Sequence, residues 1–163
     1  MGFGDLVPRL RRFLAMLAFA FWFGGLTFYA VVVIPTAHGV LKSHLRVGFI
    51  TQQVTHWINF AATVSLLLLL WELCAGWRRT ARALRMTTWG VMAATQAALF
   101  ALHPMLDHLL DPGTKEVVEP DRFYGLHRIY LIVTTLQWAA ALAHLWANLG
   151  AAGVPEKDPS REA

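Results

Sequence analysis

FLAMLAFAFWFGGLTFYAVVVI, residues 13–34, runs for 22 residues without one charged side chain. A helix rises about 1.5 Å per residue, so this stretch is long enough for the roughly 30 Å hydrocarbon core of a bilayer. Three more blocks of about 20 residues or more follow, at 57–77, 86–106 and 123–146. Apolar residues gather in these blocks instead of recurring at the period of a half-wet surface. Over all 163 residues, 56% are hydrophobic and 15% charged, against about 25% charged in an average soluble domain. The reading is an all-α, integral membrane four-helix bundle with up-down-up-down topology. It forms one domain over residues 1–150, followed by a polar tail at 151–163 expected to be disordered.

Local signals set the boundaries. Pro35 should end the first span, because its ring disfavours a continuing helix. Leu41, Leu45 and Phe49 form an apolar stripe suited to an interfacial helix before the second span. Asp111-Pro112-Gly113 is a turn signal after the third. Asp121 after Pro120 reads as a cap for the fourth, with Gly150 just past its end. Arg9, Arg11 and Arg12 before an apolar run resemble a signal peptide, but the run far exceeds an h-region of about 7–15 residues. It therefore reads as an uncleaved first span. Gly24 and Gly25 remove side chains where another helix can approach closely. Trp57 at one boundary, and Trp77, Trp89 and Trp146 at the other, match aromatic belts, whereas Trp22 and Trp138 fall within spans and must pack elsewhere.

Orientation follows from the basic residues. Arg9, Arg11, Arg12, Arg78, Arg79, Arg82, Arg85, Lys157 and Arg161 make nine on one side, against five on the other: Lys42, Arg46, Lys115, Arg122 and Arg128. This bias puts both ends in the cytoplasm of a bacterial inner membrane. The net charge of +4 arises from clusters beside apolar blocks, which are topology signals and no sign of nucleic-acid binding. Glu72, slightly inside the second span, is expected to pair with Arg78, Arg79 or Arg85.

Polar residues inside the spans fall on helical lines. Gln52, His56, Asn59 and Thr63 share a face of the second span, Gln96, Phe100, His103 and Asp107 one of the third, and His127, Thr134, Gln137 and His144 one of the fourth. Against lipid such lines are costly, so they should face the bundle interior. Asn59, Thr63, Gln96, Thr134 and Gln137 then read as interhelical hydrogen-bonding residues. Of seven histidines, His38, His44 and His108 read as interfacial groups bonded to water or headgroups. His56, His103 and His127 lie at one depth, and with Asp107 they form a candidate zinc or divalent copper site, since imidazole and carboxylate suit both ions. Haem held by His56 and His127 is the rival cofactor. The single Cys74 excludes an intramolecular disulfide, and neither a nucleophile with its base nor a phosphate loop is visible.

The stretch FWFGGLTFYAVVVIP, residues 21–35, resembles the first span of the DUF4149 (TMEM205-like) membrane proteins in its paired glycines, aromatic positions and terminal proline. FYGLHRIYLIVTTLQW, residues 123–138, is similar to that family's last span, where a leucine-histidine pair precedes a helix with polar positions. The resemblance covers most of residues 21–145 in span number and order, and carries over His127, whereas the histidine of His103-Pro104 is not typical of the family. It implies architecture and no reaction. A weaker likeness to CopD-type copper-resistance membrane proteins rests on the aromatic-Gly-Gly start of the first span and the outer histidines. The expected function is structural or accessory within a membrane complex or homo-oligomer, with metal handling as the alternative and b-type haem electron transfer as a further one.

Overall fold

A computed structural model describes residues 3–75, 82–111, 113 and 116–152. The expectations for Trp77, Arg78, Arg79, Pro112, Lys115, the His44 side chain and the tail beyond Ala152 fall outside the described residues. The elements are α1 (Phe3–Phe28), a π-helical turn (Tyr29–Val33), α2 (Ile34–Leu41), α3 (His44–Ala75), α4 (Arg82–Asp107), the short strands β1 (Leu110–Asp111) and β2 (Glu116–Val117), and α5 (Pro120–Ala152). Three stretches, Leu6–Leu41, Leu45–Ala75 and Pro120–Leu149, are long and apolar enough to cross a membrane. α4 has 26 residues, about 39 Å of helix, and is thus also long enough. Its arginines, threonines and Gln96 make it less apolar than the other three.

Several boundaries correct the sequence reading. Pro35 does not end the first helix: the chain passes through the π turn and continues as α2, with Pro35 in its first turn. A proline lacks the amide proton and crowds the carbonyl four residues back. The wider π turn immediately before it, in which the Ile34 amide bonds the Tyr29 carbonyl, gives the backbone room to accept that ring. The helix ends instead at Lys42, in the left-handed region at φ 46°, ψ 29°, with its amide on the His38 carbonyl at 3.0 Å. Leu41 consequently lies on a different helix from Leu45 and Phe49. At the start of α3, Ser43 Oγ accepts the Arg46 amide at 3.4 Å, a capping contact.

α5 begins at Pro120, so Asp121 lies within its first turn and is not the cap; the Phe123 amide already bonds the Glu119 carbonyl at 2.9 Å. Gly150 lies inside this helix, which runs to Ala152. Between α4 and α5, Asp111 of the expected turn belongs to β1, which pairs antiparallel with β2, Leu110 opposite Val117 and Asp111 opposite Glu116. Asp111 Oδ1 accepts the Gly113 amide at 2.8 Å, and Leu109 and Leu110 are buried.

Contacts link the start of each long helix to the end of the next. Arg11 of α1 meets Glu72 of α3, Gln52 of α3 meets Asp107 of α4, and Thr88 of α4 meets His144 of α5. The main core gathers Ala15, Phe19, Trp22, Ala62, Leu66, Met92 and Ala141, and a smaller one joins Leu99, Leu106 and Tyr130. Trp22 is 1% exposed, and Trp138 Nε1 donates to Thr27 Oγ1 at 3.0 Å, so both mid-helix tryptophans do pack inside. Trp57 and Trp146 stand out from the bundle. Gly24 and Gly25 also face outward, and a Cβ at either would meet nothing within 4 Å. They make no close helix approach among the described residues.

Candidate functional site

The polar interior is a hydrogen-bonded circuit across three helices. Gln137 Nε2 of α5 donates to Gln96 Oε1 of α4 at 2.7 Å. Gln96 Nε2 donates to the Asn59 carbonyl of α3 at 3.2 Å, and Asn59 Nδ2 donates to the Tyr130 hydroxyl of α5 at 3.1 Å. Asn59, Gln96 and Gln137 are each at most 5% exposed. Buried amides need such partners, since an unpaired one costs about 1–3 kcal/mol. Thr63 and Thr134, expected to bond between helices, instead donate to the carbonyls of Asn59 and Tyr130 on their own helices at 2.9 Å. A hydroxyl satisfied four residues back does nothing to join helices.

Above this circuit lies a second group. Gln52 Nε2 donates to Asp107 Oδ1 at 2.8 Å, and His103 Nε2 lies 3.5 Å from Asp107 Oδ2. The His103 ring lies 6.2 Å from that of His56 and 6.3 Å from that of Tyr130, centre to centre. Two of the three expected histidines and the aspartate thus adjoin. His56 is nonetheless exposed, and His127 is exposed on α5, stacked at 5.9 Å on Phe123 of its own helix. His127 therefore does not turn into the interior as expected. Among the described residues no group of three or more His, Cys, Asp or Glu side chains is placed to hold a metal ion. Asp107, with one oxygen held by an amide and the other facing an imidazole, acts here as a hydrogen-bonding link between α3 and α4.

At the opposite end His144 is 1% exposed. Thr88 Oγ1 back-bonds to the Leu84 carbonyl at 2.9 Å and lies 2.8 Å from His144 Nδ1. The imidazole's tautomer sets whether the hydroxyl donates to Nδ1 or accepts from it. Nε2 is buried with no hydrogen-bond partner among the described residues. Close by, Arg11 Nε donates to Glu72 Oε2 at 2.7 Å, with both side chains only 12–13% exposed. Among the described residues the hydrogen-bonded partner of Glu72 is thus Arg11, from the helix packed beside it, while Arg85 meets it only electrostatically.

Tyr130, Thr88 and the pairing of Arg11 with Glu72 escaped the sequence reading. Tyr130 had a signal: it lies seven residues before Gln137, hence within about 20° of it around the helix. No family model, curated protein or solved structure matches this chain.

Proposed function

We propose that the chain is a four-span membrane protein, an up-down-up-down bundle with both ends in the cytoplasm, and that it acts as a structural or accessory subunit by docking an apolar helix of a partner membrane protein. The carrying observation is the outer face of α1 and α3. Ala18, Ala61, Phe21, Trp57, Phe60 and Val64 line an apolar groove of about 380 Å³, and further along α1 Gly24 and Gly25 are exposed, with open space where a Cβ would stand. Small residues let a second helix approach closely, and a helix seated between aromatic walls gains dispersion attraction that loosely fitting lipid chains would not supply.

The polar circuit supports the same reading. Its amides satisfy one another, which stiffens the bundle and suits a scaffold. It also supports α4 as the fourth span, since its buried polar side chains, Thr88 and Gln96, are turned to α3 and α5 and its composition understates its fit to lipid. The likeness of residues 21–35 and 123–138 to the DUF4149 family is in keeping with this architecture.

In-cell photocrosslinking tests the docking reading. A photoreactive residue at Phe60 should give a discrete protein adduct, which Ala61→Leu should abolish by filling the groove. The same probe at Leu136, exposed on α5, should give none. Adducts confined to lipid at both positions would refute the accessory role.

A further inference from the structure

At the end where α3 and α5 begin, the two connections carry opposite charge. Residues 34–56, from α2 into α3, hold Lys42 and Arg46 and no acidic residue, whereas residues 107–122, from α4 into α5, hold five acidic residues against Lys115 and Arg122. The Gln52–Asp107 hydrogen bond ties the two connections to one height. Lys42, Arg46, Glu116 and Asp121 are exposed, and among the described residues none of the four has an ion-pair partner. A second copy in the same membrane therefore brings its acidic connection to the height of the first copy's basic one.

The apolar faces match in depth as well. Gln96 Nε2 on the Asn59 carbonyl and Trp89 Nε1 on the Leu66 carbonyl fix α4 against α3. Counting along the antiparallel pair from either contact sets Ala94 level with Ala61 of the groove. Ala94 and Ala101 are exposed and lie roughly opposite the buried Met92 and Gln96 around α4, so they face away from the bundle. A helix face of such small side chains can approach closely between the exposed rings of Phe21, Trp57 and Phe60.

We propose that the helix docked in the α1–α3 groove is α4 of a second copy of this chain, whose acidic connection meets Lys42 and Arg46. Groove and inserted face differ, so the contact is head-to-tail. Charge selects the helix and its register, since the groove alone would accept any slim apolar helix. This names the partner in the docking reading above, and rests on that reading and on four spans.

Disulfide crosslinking in native membranes tests it, in a Cys74→Ala background with two differently tagged copies. One copy carries Ala61→Cys and the other Ala94→Cys. Together they should give a two-chain adduct, whereas two copies of Ala61→Cys should give none. Lys42→Glu with Arg46→Glu in the first copy should lower the yield about fivefold, and Glu116→Lys with Asp121→Lys in the second should restore it. These charged positions are exposed, so the swap reads the contact and not the fold. No adduct between the two copies, or a yield indifferent to the charge reversal, would overturn the proposal. The photoreactive residue at Phe60 separates the two readings. An adduct with a protein other than this chain would keep the docking role and overturn self-association, and adducts to lipid alone would overturn both.

Discussion

Gln96 is donor to α3 and acceptor from α5 at once, so replacing it strands groups on both neighbours. Gln96→Leu should lower stability by about 1–3 kcal/mol, chiefly by leaving Gln137 Nε2 unpaired. Adding Gln137→Leu should recover part of the loss, because removing both partners also removes the orphan. Thr63→Val, which forfeits only a bond to its own helix, should stay within about 0.5 kcal/mol. Unfolding in detergent micelles reads all three, and a loss from Thr63→Val as large as that from Gln96→Leu would show that the circuit does not hold the helices. Spacing in the sequence made Asn59, Gln96 and Gln137 legible as interior residues. It was too coarse for the edges of the stripe: at about 100° per residue, Thr134 and His127 stand about 60° and 80° from Gln137, while Tyr130 and His144 lie within about 20°. Those angles separate the partly and fully exposed pair from the buried one, and the same rule turns His56 about 60° from Asn59 and leaves it exposed.

Elements follow from backbone rules that sequence displays unevenly. The long apolar runs announced α1, α3 and α5, but Pro35 and Lys42 show where a single-residue rule misleads. Proline stops a regular helix, yet a π turn placed before it carries the chain on by eight residues to Leu41. No composition signal marks such a turn. Lys42, by contrast, is where the helix does stop, in a conformation that favours glycine and that a Cβ disfavours by about 1–2 kcal/mol. Lys42→Gly should therefore stabilise the α2–α3 junction by about 0.5–1 kcal/mol even though it removes a side chain. Thermal unfolding should show the gain, and Lys42→Val should show a loss. If Gly proved as harmful as Val, the left-handed cap would be wrong. The β1–β2 hairpin went unread because two-residue strands are too short to show a period. Only its turn residues were visible beforehand.

For the whole molecule the decisive question is whether α4 crosses the membrane. By composition alone three stretches qualify among the described residues, and three crossings would leave the two termini on opposite sides. Packing argues for four: α4 contributes Met92 and Leu99 to the two cores and turns Thr88 and Gln96 to its neighbours. Outward it shows residues such as Val91 and Phe100. Charge argues likewise, because with four spans the nine basic residues at the ends and the α3–α4 link share one side. α4 is the long helix between position 81, in that link, and Val118, 61% exposed after the hairpin. Cysteines placed singly at these positions in a Cys74→Ala background therefore report on α4 directly. An impermeant maleimide should label Val118→Cys in intact cells, and Ala81→Cys only after permeabilisation. The reverse pattern would keep four spans and invert the orientation. Equal labelling at both positions would mean that α4 stays on one side, since two points joined by one crossing helix cannot face the same compartment.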